Sequence, residues 1–140
     1  MTSPREAMRA LLSALLMAGM AAAHAADWQL VNAHLMNGST VKDYVDASTL
    51  RQVIQPRVRY WHMTKYSPPM QMGTIAYTAS RSQETVDCIA RTVTLNSIVY
   101  YDNDGHPVGE LRPQSVPARV VPGSAADVIR EFVCRYASHR

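Results

Sequence analysis

The chain contains short stretches of β-branched and aromatic residues, separated by residues that are typical of turns. Apolar and polar side chains alternate in several of these stretches, as in half-buried strands. Asn37-Gly38 predicts a tight hairpin because both residues tolerate positive φ angles, and residues 102–105 predict another. The predicted strands begin at Trp28 and continue as Val41 to Val45, Val58 to Lys65, Thr74 to Ser80, Thr85 to Tyr101 and Val108 to Leu111.

The alternation is interrupted or ambiguous in three places. Ser67-Pro68-Pro69 predicts the end of a strand because proline cannot donate to a ladder. The longest stretch is expected to bend or break near Asn96-Ser97. Between Val58 and Lys65, the large apolar residues Trp61 and Met63 share their parity with cationic residues, so the pattern does not identify the buried face of that strand.

One helix is predicted near the C-terminus, after Pro122-Gly123. Ser124 is a suitable N-cap, and Asp127 places a carboxylate at the positive end of the helix. One face would carry an apolar stripe made of Ala125, Ile129, Phe132, Val133 and Tyr136. Cys134 lies nearly opposite this stripe, so a bond from Cys134 to the sheet would require a distorted last turn or a helix that packs edge-on.

The N-terminus has the three parts of an export signal. Arg5 and Arg9 supply positive charge, residues 10–22 are apolar, and Ala23-His24-Ala25 fits a cleavage site. The apolar run is shorter than the roughly 20 residues that span a bilayer, which disfavours the alternative of a membrane anchor. We therefore predict a signal peptide at residues 1–25 and one mature domain at residues 26–140.

The predicted export decides how the cysteines are interpreted. Cys88 and Cys134 are the two cysteines of the chain, and in an oxidising compartment we expect them to form a disulfide. No cysteine follows the signal where a lipid could be attached, and no later segment is apolar enough to span a membrane. The mature protein is expected in the periplasm, outside the cell or at the cell surface.

Charge excludes some classes of partner. The formal net charge is only +3, and Arg5 and Arg9 of the predicted signal contribute part of it. The basic residues are spread along the sequence and form no run, which argues against a dedicated nucleic-acid-binding protein.

The order of several short motifs resembles the surface-adhesin protein E family of small exported bacterial proteins. The resemblance covers nearly the whole mature chain, and its motifs are Asp27 to Val31, Tyr44-Val45-Asp46, Val58 to Trp61, Tyr77 to Ser80, Asp87-Cys88, Pro122-Gly123-Ser124 and Phe132-Val133-Cys134. It implies an antiparallel sheet with a C-terminal helix tied to it by the cysteine bridge. It also implies adhesion to host or matrix proteins, although no ligand-contacting residue carries over.

We therefore predict an α+β domain, with an antiparallel sheet of about five or six strands covered on one face by the C-terminal helix. The predicted activity is protein binding through an exposed sheet face or edge. Arginine and tyrosine are favoured at protein interfaces, and the candidate residues are Arg59, Tyr60, Tyr100 and Tyr101. A paired sheet edge could also make a dimer.

Other functions remain open at this stage. A periplasmic binder of copper, haem or a small ligand could use soft ligands, namely His62, Met63, Met70 and Met72. An inhibitor of a lysozyme-type enzyme would suit the same size and disulfide. Asp102, Asp104 and His106 could suggest a cation site, but turn chemistry explains the two carboxylates better. Known catalytic motifs do not occur, so we expect a non-enzyme without a cofactor.

Overall fold

The computed structural model describes residues 25–139, and the rest of the predicted signal peptide lies outside the described residues and stays a prediction. The described residues form one antiparallel sheet, one α-helix and a short 3-10 helix at Ala47–Thr49, which confirms the α+β class. The helix α1 spans Ala125–Ser138. The strands are β1 (Trp28–Met36), β2 (Ser39–Asp46), β3 (Arg51–Ile54), β4 (Arg57–Met72), β5 (Ile75–Asp87), β6 (Thr92–Tyr101), β7 (Pro107–Leu111) and β8 (Ala118–Arg119).

The sheet runs in the order β1-β2-β4-β5-β6-β7, with β3 paired to β4 and β8 paired to β6. The predicted Asn37-Gly38 hairpin joins β1 to β2, and both residues have positive φ angles, 50° and 80°. Within residues 25–139 the sheet has 8 strands, more than the predicted five or six. The prediction missed β3 and β8 because they are short and exposed, with no apolar alternation.

The predicted strand from Thr85 to Tyr101 is wrong, because the chain turns at residues 88–91 and separates β5 from β6. This turn contains no glycine, proline or asparagine. Instead, the Asp87 carboxylate accepts hydrogen bonds from the backbone N–H groups of Ile89 and Ala90, at 3.0 and 2.8 Å. The irregularity expected near Asn96-Ser97 is present as a register shift between β5 and β6.

The predicted strand end at Ser67-Pro68-Pro69 is also wrong, because β4 continues to Met72. The prolines are tolerated because they fall in a gap of the ladder. The pairing of β4 with β5 stops at Lys65 and resumes at Met70. Pro68 and Pro69 lie between these residues, so neither has to donate a hydrogen bond to β5.

The two sides of the sheet differ in what covers them. On the helix face, the sheet packs against α1 through a buried apolar cluster of Val45, Ala47, Leu50, Val58, Tyr60, Val86, Ile129 and Val133. The opposite side is called the open face. Tyr44, Met63 and Arg81 are direct cross-strand neighbours on β2, β4 and β5, and they mark its centre.

The helix begins as predicted, with the Ser124 hydroxyl accepting a hydrogen bond from the backbone N–H of Asp127 at 3.2 Å. Its buried residues are Asp127, Ile129 and Val133, whereas Phe132 and Tyr136 are half-buried and stack on each other. The helix is therefore rotated about its axis, so that the predicted apolar stripe does not point directly at the sheet. No helix of residues 25–139 is long and apolar enough to span a membrane.

This rotation allows the predicted disulfide. Cys88 and Cys134 are bonded, with their Cα atoms 5.8 Å apart, and α1 stays helical to Ser138. Both cysteines pack against the core cluster. Neither a distorted last turn nor edge-on packing is needed, because the side of α1 that carries Cys134 already faces the turn after β5, which carries Cys88.

Candidate functional site

A groove of about 840 Å³ crosses the open face. Its walls combine aromatic rings with cationic side chains. The aromatic residues on this face are Trp28, Tyr44 and Tyr101, and the cationic residues are Lys42, Lys65 and Arg81. Grooves of this size with aromatic and cationic walls are candidate binding sites for a ligand or for part of a protein partner.

Strand register brings these residues together from distant parts of the sequence. Lys42 on β2 pairs directly with Lys65 on β4, and Tyr44 pairs with Met63. Met63 in turn pairs with Arg81 on β5. Since side chains of directly paired residues project from the same face, the three cations lie on one side of three neighbouring strands.

Two of the three cations, Lys65 and Arg81, lie over aromatic rings of the groove. Lys65 Nζ lies 5.4 Å from the centre of the Tyr44 ring. The guanidinium carbon of Arg81 lies 5.9 Å from the Trp28 ring centre and 5.4 Å from that of Tyr101. Cation–π attraction orients the charges without neutralising them.

No ion pair of the described residues includes Lys42, Lys65 or Arg81. Among residues 25–139, Asp102 is the only carboxylate that lines the groove. The open face therefore presents an excess of positive charge beside exposed aromatic surface, which suits an anionic partner.

The helix face carries a second group of charges, which is buried. The two ring nitrogens of His62 face two carboxylates: Nδ1 lies 2.9 Å from Glu84 Oε1 and Nε2 lies 3.1 Å from Asp43 Oδ1. Glu84 also accepts hydrogen bonds from the hydroxyls of Tyr60 and Ser82, both at 2.7 Å. Every buried side-chain polar atom among the described residues has a partner.

These contacts set the charge of the buried group. Burial by itself lowers the pKa of His62, but the hydrogen bonds to Asp43 and Glu84 outweigh burial and raise the pKa to about 9. Burial by itself raises the pKa values of Asp43 and Glu84, and the bonds to His62 reverse this and lower both. At neutral pH the group therefore contains one imidazolium and two carboxylates.

Residues 28–135 match the surface-adhesin protein E family. The chain belongs to this family. Searches of curated proteins and of solved structures give no significant match. Membership makes the chain an adhesin-like protein, and a disulfide-stapled sheet fits a protein that works outside the cytoplasm.

In this protein E-like fold, the residues predicted to bind a partner are divided between the two faces. Tyr101 lies on the open face and lines the groove. Arg59 lies in a separate polar cleft with Thr85 and Asn96. Tyr60 is only 2% exposed and belongs to the core cluster on the helix face. Tyr100 packs against Tyr77 with the two rings tilted and their centres 4.8 Å apart.

The four residues predicted to bind copper or haem do not converge. His62 lies on the helix face with both ring nitrogens occupied by carboxylates, whereas Met63 lines the groove on the open face. Met70 and Met72 lie further along β4, beyond the gap in the ladder. An imidazolium has no free lone pair for a metal, so this geometry gives the metal hypothesis no support.

The turn after β6 does bring Asp102, Asp104 and His106 close together. Asp102 Oδ1 accepts hydrogen bonds from the backbone N–H groups of Asp104 and His106, both at 2.9 Å. The carboxylate therefore has the backbone role that the sequence indicates.

The sequence did not single out Lys42, Lys65 and Arg81 as a group. They are dispersed along the chain, and only strand register unites them. A usable signal was nevertheless present on β2, where Lys42 and Tyr44 share one parity opposite to that of the buried Val41 and Val45.

Proposed function

We propose that this member of the protein E family is an exported, non-catalytic adhesin that binds host or matrix proteins through the groove of its open face. Family membership supports the adhesin class, and the groove supports the location of the site. The observation that carries the proposal is the stacking of unpaired cations on aromatic rings at Tyr44, Trp28 and Tyr101.

The groove favours an acidic segment of a protein partner. Lys65 and Arg81 would bind carboxylates, while the rings supply the apolar contact area typical of interface centres. Leu30 and Leu35 extend this surface on β1, where they are 56% and 78% exposed. They pair with Tyr44 and Thr40 of β2, so they lie on the open face beside the groove.

Binding to a panel of immobilised extracellular-matrix proteins would test the proposal. The mature protein is compared with a Lys65→Glu/Arg81→Glu variant by surface plasmon resonance at low and physiological salt. We expect binding to at least one matrix protein and a loss of at least about tenfold in the variant, because two favourable charge contacts become repulsive. Added salt should weaken the wild-type interaction.

The matched control places the same charge change elsewhere. Arg119 on β8 and Arg135 on α1 are exposed and do not line the groove. An Arg119→Glu/Arg135→Glu variant has the same net charge as the test variant and should bind like the wild type. Equal losses in both variants would show that only net charge matters, and the proposed site would be wrong.

The cellular location needs its own test. A tag after the C-terminal helix can be exposed to protease on intact cells and on osmotically shocked cells. Cleavage on intact cells is expected for a surface adhesin. Protection until the outer membrane is opened would exclude adhesion from the outer surface.

A further inference from the structure

A second cavity, of about 370 Å³, lies between the sheet and the N-terminal turns of α1. It opens on the helix face, and within the described part of the chain it shares no lining residue with the groove of the open face. Its volume is within the range of small-molecule sites. The function proposed above leaves this cavity without a role.

The walls of the cavity are apolar. Val93 and Leu95 of β6 form one side, and Ala126 and Ile129 of α1 form another. The exposed segment around Val116 borders the mouth. Because alanine side chains are small, the first turn of α1 leaves space that a larger residue would fill.

The floor of the cavity is polar and carries charge. Asp43, His62 and Glu84 are the charged side chains that line it. The side chains of His62 and Glu84 retain 12% and 14% exposure, so they are not fully sealed by protein. Two carboxylates face one imidazolium, which leaves the floor with a net negative charge.

We propose that this cavity binds a small amphiphilic cation, with its ammonium group at the floor beside Glu84 and its apolar body between β6 and α1. An ammonium donates hydrogen bonds only, and the carboxylate oxygens accept them. An anionic ligand of the same shape would bring a third negative charge to two carboxylates in a largely desolvated site. The cavity therefore selects a cation, whereas the groove of the open face selects an anionic partner.

Three probes that share a phenylethyl group and differ in the charge of their polar end test this selection: 2-phenylethylamine, 2-phenylethanol and 3-phenylpropanoate. Each is titrated into the mature protein at pH 7, and the methyl signals of Ala126 and Ile129 are followed by NMR. The amine should shift both signals in a saturable manner and bind about tenfold more tightly than the alcohol. Saturable binding of the carboxylate with equal affinity would overturn the proposal.

Two variants locate the site. Ala126→Phe fills the cavity from an exposed helical position and should abolish amine binding. Binding to this variant is followed by the methyl signals of Ile129. The matched control, Ala76→Phe, adds the same ring at an exposed position of β5 that does not line the cavity, and it should bind normally. Unchanged amine affinity in the folded Ala126→Phe variant would refute the site.

The role of the floor is tested by Glu84→Gln, which preserves the shape of the side chain and removes its charge. The preference for the amine over the alcohol should fall to about twofold or less. A preserved tenfold preference would show that Glu84 does not select the ligand. Because Ala126→Phe leaves the charged group intact, the proposal stays testable if Glu84→Gln fails to fold.

Discussion

The two faces of the sheet contain similar charged residues in opposite circumstances. On the helix face, His62 is held between two carboxylates under the helix. On the open face, Lys65 and Arg81 stack on aromatic rings and have no ion-pair partner among the described residues. Buried charges must be partnered for the fold to form, whereas exposed cations remain available to a ligand. The helix face therefore governs stability, and the open face is the better candidate for recognition of a protein partner.

The largest effect is expected from cutting the connection of α1 to the sheet. A Cys88→Ser/Cys134→Ser variant opens a loop with a sequence separation of 46 residues, which should cost about 4 kcal/mol of unfolding free energy. Urea unfolding of the mature protein measures this loss. If the two faces are independent, the molecules that stay folded should bind a matrix protein with the wild-type affinity. A loss of affinity that parallels the loss of stability would contradict this independence.

A smaller loss is expected from His62→Leu. Removing the imidazolium leaves Asp43 and Glu84 buried without their cationic partner, which should destabilise the fold by about 3 kcal/mol. Lys65→Leu on the open face is the matched control and should change stability by less than about 1 kcal/mol. Similar losses in the two variants would remove the distinction between the faces.

The same histidine predicts a pH dependence. Its folded pKa of about 9 lies above the ordinary value of 6.5, so its stabilising effect is complete below about pH 6.5 and disappears as the pH rises through 9. The unfolding free energy should fall by up to about 1.4 kcal/mol per pH unit in this window. Urea unfolding from pH 6 to 10 measures the slope, and His62→Leu should flatten it. A wild-type slope equal to that of the variant would argue against a buried imidazolium.

The smallest stability effect is expected from Arg81→Ala. The guanidinium between Trp28 and Tyr101 is exposed, so its loss should cost about 0.5 to 1 kcal/mol of unfolding free energy. Thermal unfolding measures this change. The affinity for a matrix protein should decrease much more than stability does. A large loss of stability would instead assign Arg81 a structural role.

Features governed by local chemistry could be predicted from the sequence. The Asn37-Gly38 hairpin, the Ser124 cap and the pairing of Cys88 with Cys134 all follow from residue types and the expected compartment. The turn at residues 88–91 could not be predicted because it depends on one carboxylate, that of Asp87, rather than on turn-forming residues.

The candidate site depends on tertiary structure, which explains why the sequence indicated it poorly. Of the predicted binding residues, Tyr101 lies in the groove, whereas Tyr60 is in the core because its parity on β4 places it under α1. The cations are dispersed in the sequence and meet only after β2, β4 and β5 pair. Neither composition nor net charge contains that information.

The alternation of β4 also affects how this protein can evolve. Tyr60 and His62 lie on the helix face, whereas Met63 and Lys65 line the groove of the open face. Alternating positions of one strand are therefore under different selective pressures. Substitutions at groove positions such as Lys65 can accumulate with little effect on folding. A lineage can thus change the surface of its open face while the scaffold beneath stays intact.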